Sequence, residues 1–257
     1  MSLTIAAPNR VPRVTPAFWL IKLLAVTVGE TAADYLAVNL GLGLSTTTWI
    51  MVGLLIVTLA LQFAQKKYVP WAYWLAVVMI SVVGTLFSDN LVDTFDVALS
   101  TTTIGFAAAL ALTFITWYRA ERTLSIHTIF TTRREAFYWL TILFTFALGT
   151  AAGDWVAEGF GLGYATTGLI FAGIIAAVAC AYYALKMNSI LAFWLAYIFT
   201  RPVGASFGDL MAQPREYGGL GFGTIITSLL FLGGIAILVL IMTLRRDGER
   251  NADASRG

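Results

Sequence analysis

Eight long apolar runs, parted by short polar or glycine-rich breaks, fill most of the chain. A helix needs about 20 mainly apolar residues to cross a bilayer, so the pattern predicts eight membrane spans. They fall at about 17–40, 45–65, 70–98, 101–118, 136–160, 164–185, 188–212 and 222–244. Ser45 and Thr46 to Thr48 read as N-cap material for the second span. The longest polar break, 119–135, carries Arg122, Arg133, Arg134 and the single histidine, His127. It separates a first membrane half, 17–118, from a second, 136–244. Residues 1–16 read as a flexible basic tail, and 245–257 as a charged tail without fixed structure. The fold class is therefore all-α and polytopic.

The runs repeat. Trp19, Trp74, Trp139 and Trp194 are each followed ten residues later by a glycine (Gly29, Gly84, Gly149, Gly204). An aspartate follows five residues further on (Asp34, Asp89, Asp154, Asp209). Thr46, Thr101 and Thr166 come twelve residues after the first three aspartates, whereas the fourth copy reaches Thr224 after three extra residues. Fixed spacing of this kind marks a repeat architecture. The Trp-to-Trp steps of 55, 65 and 55 residues suggest a doubled unit that was doubled again. Each unit is a pair of spans.

Composition and charge refine this picture. Charged residues make up 12% of the chain, against about 25% in soluble domains, and the mean hydropathy is +0.81. The N-terminus has no apolar signal-peptide core, so the first span is expected to stay in the mature protein. Cys180 has no partner for a disulfide. Thirteen of the sixteen Lys and Arg lie in the two tails and in the 2–3, 4–5 and 6–7 connections. The positive-inside rule then puts both termini in the cytoplasm. Four repeats of like orientation imply an axis along the membrane normal. Each Asp should lie about 22 Å along its helix from its Trp, at 1.5 Å per residue.

The candidate chemistry is acidic. Of fourteen Asp and Glu, eight fall in the outer halves of the odd-numbered spans: Glu30, Asp34, Asp89, Asp93, Asp96, Asp154, Glu158 and Asp209. Spacings of three and four place each set on one helix face. Only Lys22 and Arg201 lie within the spans as counter-charges. Six unbalanced carboxylates would cost of order 15–20 kcal/mol at mid-depth, and less near the surface. They are therefore expected to be protonated, to face water or to bind cations.

A structural alternative stands beside this: the four repeated Asp could pin the turn joining each helix pair, bonding to Thr hydroxyls and amides of the following helix. Glu30, Asp93 and Glu158, which read as unrepeated, are not needed for that role. Glu30, Asp34, Asp154 and Glu158 form the candidate metal set. An all-oxygen set favours Mg²⁺, Mn²⁺ or Ca²⁺ over zinc or copper. The four Gly suit close helix packing, and the four Trp suit interfacial anchoring. Lys22 is expected to snorkel to the cytoplasm, and Arg201, before a kinking Pro202, to act as counter-ion or gate. No nucleotide-binding or hydrolase motif is present, and nothing points to nucleic acid. An intramembrane enzyme is the weakest reading, since paired carboxylates could do acid–base work but no nucleophile stands with them.

The repeated tryptophan and the paired spans over residues 17 to 244 resemble a bacterial inner-membrane family built of four tandem two-span repeats of unknown function. The resemblance implies an inner-membrane location and a repeat architecture, with no activity attached. Copy two departs from it at Asp96-Val97-Ala98, where the other copies have Gly-Leu-Gly, and copy four has an insert around Pro214-Arg215-Glu216. The expected function is a transporter or channel for a small cation or proton. The alternative is a scaffold or membrane partner protein whose Asp residues only fix turns. Oligomeric state is open.

Overall fold

Charge decides which helices go inside. The computed structural model describes residues 8–254, and over these it is all-helical. The helices are α1 Pro16–Asp34, α2 Leu44–Phe63, α3 Pro70–Asp89, α4 Leu99–Glu121, α5 Thr132–Asp154, α6 Gly163–Ala184, α7 Ser189–Ala212 and α8 Thr224–Ala254. All eight are long and apolar enough to cross a membrane. Those carrying the repeated Gly and Asp (α1, α3, α5, α7) are 56–67% buried over their apolar windows, against 17–22% for α2, α4, α6 and α8. A lipid-facing charge is costly, so the charge-bearing helices form the core and the uniformly apolar ones face lipid.

The four inner helices close a ring: α1 packs on α3, α3 on α5, α5 on α7 and α7 on α1. Each outer helix packs chiefly on the inner helix of the next repeat. Thus α2 lies on α3, α4 on α5 and α6 on α7, while α8 returns to α1. The repeats are interlocked. The end where the inner helices begin is here called the base; the opposite end is the mouth.

Polar residues start three of the four inner helices at the base, while α3 begins at Pro70 after Val69 without a side-chain cap. Thr15 accepts from Phe18 N–H at 3.2 Å, Thr131 from Arg134 N–H at 3.2 Å, and Asn188 from Ile190 N–H at 2.9 Å. These satisfy amides that a helix start leaves without intrahelical partners. The mouth is built differently. Just after Asp34, Asp89 and Asp154 the α-helix loosens into a π-turn, at Tyr35–Asn39, Asn90–Thr94 and Trp155–Gly159. Single π-turns inside helices are frequent at functional sites. The turn to the outer helix then uses a left-handed residue, Gly41 or Gly161. In copy two Asp96 takes that conformation (φ 52°), which Asp tolerates better than most residues.

Several sequence expectations change. Asp96 belongs to this exposed turn and not to a helix face. Ser45 and Thr48 do not cap α2, which starts at Leu44 without a side-chain cap bond. Instead Ser45 donates to Asn90 Oδ1 at 3.0 Å, and Asn90 Nδ2 donates to Thr48 at 2.7 Å, tying α2 to the next repeat. Residues 8–15 are not a free tail: Arg10 N–H donates to Ile129 O at 2.8 Å, and Tyr68 N–H to Asn9 O at 3.0 Å. At the other terminus α8 continues through Ala254, into the segment expected to lack structure. Residues 1–7 and 255–257 of the two tails lie outside the described residues.

Candidate functional site

Alignment of the repeats by Gly and Asp lines up a stripe of residues spaced by four, which the helical period keeps on one face. On α1 the stripe is Phe18, Lys22, Val26, Glu30 and Asp34. The matching positions of the other three inner helices meet it layer by layer around the ring axis.

Glycine sets how closely the layers approach. A Cβ at Gly29 would lie 1.9 Å from Ser81 Oγ, one at Gly84 2.8 Å from Phe146 Cβ, one at Gly149 2.2 Å from Arg201 Cγ, and one at Gly204 2.5 Å from Val26 Cγ1. Each glycine therefore seats the residue three places before the glycine of the next repeat, and the fourth closes on the first. This is the close packing that small residues permit between membrane helices.

Arg201 fills the axis at that level and is fully buried. From α7 its guanidinium touches each of the other three inner helices. Nη1 donates to Val26 O at 3.0 Å and Nε to Phe146 O at 3.3 Å. Nη2 donates to Glu30 Oε2 at 2.9 Å, to Thr150 Oγ1 at 2.7 Å and to Thr85 Oγ1. Glu30, Thr85 and Thr150 hold equivalent positions, each directly after a repeat glycine; Ala205 is the fourth. Threonine thus takes the place of Glu30 in two other copies, a layer that reading the acids alone did not reveal. Comparing all positions of the four copies at period four would have found it.

Below Arg201, toward the base, Lys22 does not snorkel. It is fully buried, donates to Tyr197 O at 2.8 Å, and lies 4.1 Å from the centre of the Tyr197 ring and 5.5 Å from that of Phe146. Lys22 points along the axis because its stripe position does, and rings and a carbonyl stand in for water. The lowest layer is aromatic: Phe18 and Phe193 pack beside Tyr73 and Tyr138, whose hydroxyls are 2.5 Å apart. The axis is shut at the base.

Three of the repeat tryptophans also face inward. Trp74, Trp139 and Trp194 are 1–4% exposed, and Trp19 is half-buried. Trp194 Nε1 donates to Leu124 O at 2.9 Å and Trp139 Nε1 to Glu135 at 3.4 Å. They serve as core aromatics at the base and not as lipid-facing anchors, because they adjoin the axial stripe.

Toward the mouth, one turn beyond the Glu30 layer, the stripe reaches Asp34, Asp89, Asp154 and Asp209. All four carboxylates lie within electrostatic reach of Glu30, and Asp34 and Asp154 within reach of each of the others. Among the described residues none forms an ion pair; Asp34 accepts one long bond from Gln213 Nε2, at 3.4 Å. Asp209 is buried and the other three are half-buried. Among the described residues no bond joins these aspartates to the Thr hydroxyls of the following helix, as turn-pinning requires, and Thr47, Thr102 and Thr167 Oγ1 are buried without a hydrogen-bond partner. Four residues further on stand Asp93 and Glu158, at matching positions and exposed at the mouth, so these two do recur. Tyr164 donates to Glu158 at 3.3 Å.

The candidate metal set is not brought together as a unit. Glu30 is engaged by Arg201, and among the described residues no three His, Cys, Asp or Glu converge as a metal-ligand group. What the arrangement offers is a graded path. Two exposed acids lead to four unpaired aspartates and then to an arginine–glutamate plug.

A family model described as "Repeat of Unknown Function (DUF347)" matches the chain four times, at residues 17–68, 72–123, 137–188 and 192–247. The chain belongs to that repeat family, and the matched segments coincide with the four helix pairs. No curated protein and no solved structure matches it.

Proposed function

We propose that this member of the DUF347 repeat family carries a small cation across a bilayer, with the acidic layer as its binding region. Asp93 and Glu158 gather the ion at the mouth, Asp34, Asp89, Asp154 and Asp209 receive it, and the Arg201–Glu30 pair acts as the gate. The observation that carries this reading is the stacking of four aspartates without ion pairs directly beyond a buried arginine on one axis. A carboxylate within the lipid slab is costly, and a cation or proton removes that cost. Oxygen ligands alone favour hard ions, so Mg²⁺, Mn²⁺ and Ca²⁺ are the metals to test, with H⁺ as the other candidate. The reading assigns no enzymatic step. The concentration of Lys and Arg at the base supports cytoplasmic termini in a bacterial inner membrane.

Arg201 supports the gating role because its contacts tie α7 to each of the other three inner helices. An ion arriving at the aspartates competes with the guanidinium for negative charge, and a ligand shifts a two-state element only through such differential interaction. The test is ion flux into vesicles containing purified protein. Asp34→Asn and Asp154→Asn should abolish flux while the protein stays folded, and unchanged flux in both would remove the proposal. The fully packed plug also favours a second reading, a non-transporting scaffold. Under it the same variants should lower the melting temperature, and none of the candidate ions should raise it, although a ligand that binds only the folded state does so by mass action.

A further inference from the structure

The ring axis is closed at the base by the Tyr73–Tyr138 pair, and the seam between these residues is the one between α3 and α5. Residues 8–15 cross that seam. Asn9 O accepts from Tyr68 N–H at 3.0 Å, just before α3 begins, and Asn9 Nδ2 donates to Ile126 O at 2.9 Å. Arg10 N–H donates to Ile129 O in the segment leading to α5. The Arg10 side chain then reaches Glu135 of α5 at 2.7 Å, three residues before Tyr138. Glu135 is fully buried and also accepts from Gln62 of α2 at 2.9 Å. Val11, within the strap, is 3% exposed.

We propose that residues 8–15 are the latch of a base-side gate, held shut by the Arg10–Glu135 pair and opening along the α3–α5 seam so that Tyr73 and Tyr138 part. The strap spans both sides of the seam while belonging to neither helix, so its release is the local change that frees them to separate. It is also incompletely bonded. Asn9 Oδ1, Arg10 Nε and Gln62 Oε1 are buried without a hydrogen-bond partner among the described residues. Such groups weaken a closed state, and gating elements come from the less stable parts of a fold. With the Arg201–Glu30 plug nearer the mouth, the axis then has two closures. The latch deepens the transport reading and rests on it for its purpose, but its opening is measured separately.

The experiment uses full-length protein in detergent with Cys180→Ser, and a single reporter cysteine at Val77→Cys, an axial position just above the tyrosine pair. A polar maleimide should label this cysteine slowly while the latch is intact. Arg10→Gln or Glu135→Gln should raise the labelling rate at least about tenfold, since removing one partner of a buried pair is strongly destabilising. The exchange Arg10→Glu with Glu135→Arg should restore protection. A second reporter, Ala205→Cys beside the plug, should stay protected throughout. Unchanged labelling at Val77→Cys in both single variants overturns the latch. So does equal labelling at both reporters, which marks general loosening. Flux lost or retained in Asp34→Asn leaves this readout unaltered, so the latch and the transport reading can fail separately.

Discussion

Arg201 and Glu30 act on each other at a depth where neither has water to fall back on. Breaking a buried pair from one side typically costs about 3–5 kcal/mol, whereas replacing both members by apolar groups is often close to neutral. We therefore expect Glu30→Gln to lower the melting temperature in detergent clearly, and the double variant Glu30→Gln with Arg201→Met to recover much of the loss. A Glu30→Gln protein that melts like the unsubstituted one would show that the pair holds nothing together. Arg201 could be singled out in the sequence as one of two basic residues inside a span. Its partners could not: Thr85 and Thr150 look like ordinary span threonines until the ring brings them to Nη2. The snorkelling expected of Lys22 fails for a related reason. Its distance from the span end allows snorkelling, and only the neighbouring Phe146 and Tyr197 show that it turns inward.

The helices carry a different set of constraints. Gly149 and Gly105 are both helical glycines, yet a Cβ at Gly149 would lie 2.4 Å from Arg201 Cβ, and one at Gly105 would meet nothing within 4 Å. Gly149→Ala should thus destabilise by about 1–3 kcal/mol through overpacking. Gly105→Ala should be neutral or stabilising by up to about 1 kcal/mol through helix propensity. Thermal melts of the two variants check the sign of each. The number of spans and the inner-helix glycines were legible, since they depend on hydropathy and spacing. The end of the third span was not, because Asp96 leaves the helix for a left-handed turn that an apolar run up to residue 98 does not announce. The three π-turns were not: Tyr35–Asn39 and Asn90–Thr94 share no residue type that announces one. Copy four lacks a π-turn after Asp209, where α7 runs on to Ala212 before the insert.

At the level of the molecule, the pairing of each outer helix with the next repeat makes the bundle a closed circuit. Neither half satisfies its own surfaces, because α4 packs on α5 and α8 on α1 across the midpoint. Glu30 likewise meets Arg201 only across the halves. A chain split within residues 122–131 should therefore reassemble when both fragments are co-expressed, and a tag on one should co-purify the other. Fragments expressed alone should fail to give monodisperse protein. Stable, separate halves would contradict the interlock.

The sequence by itself determined the eight spans, the four copies and the presence of acids in the odd helices, because each is a property of residues close together along the chain. Burial of the odd helices follows nearly as directly, since they alone carry charge deep in apolar runs. Tertiary structure decided which acids stay unpaired, that Glu30 belongs to Arg201, that Lys22 and three tryptophans face inward, and that residues 8–15 bind the base. All of these depend on contacts between residues about 50 to 180 apart along the chain. Local periodicity names the face a side chain lies on; only the closing of the ring supplies what it faces.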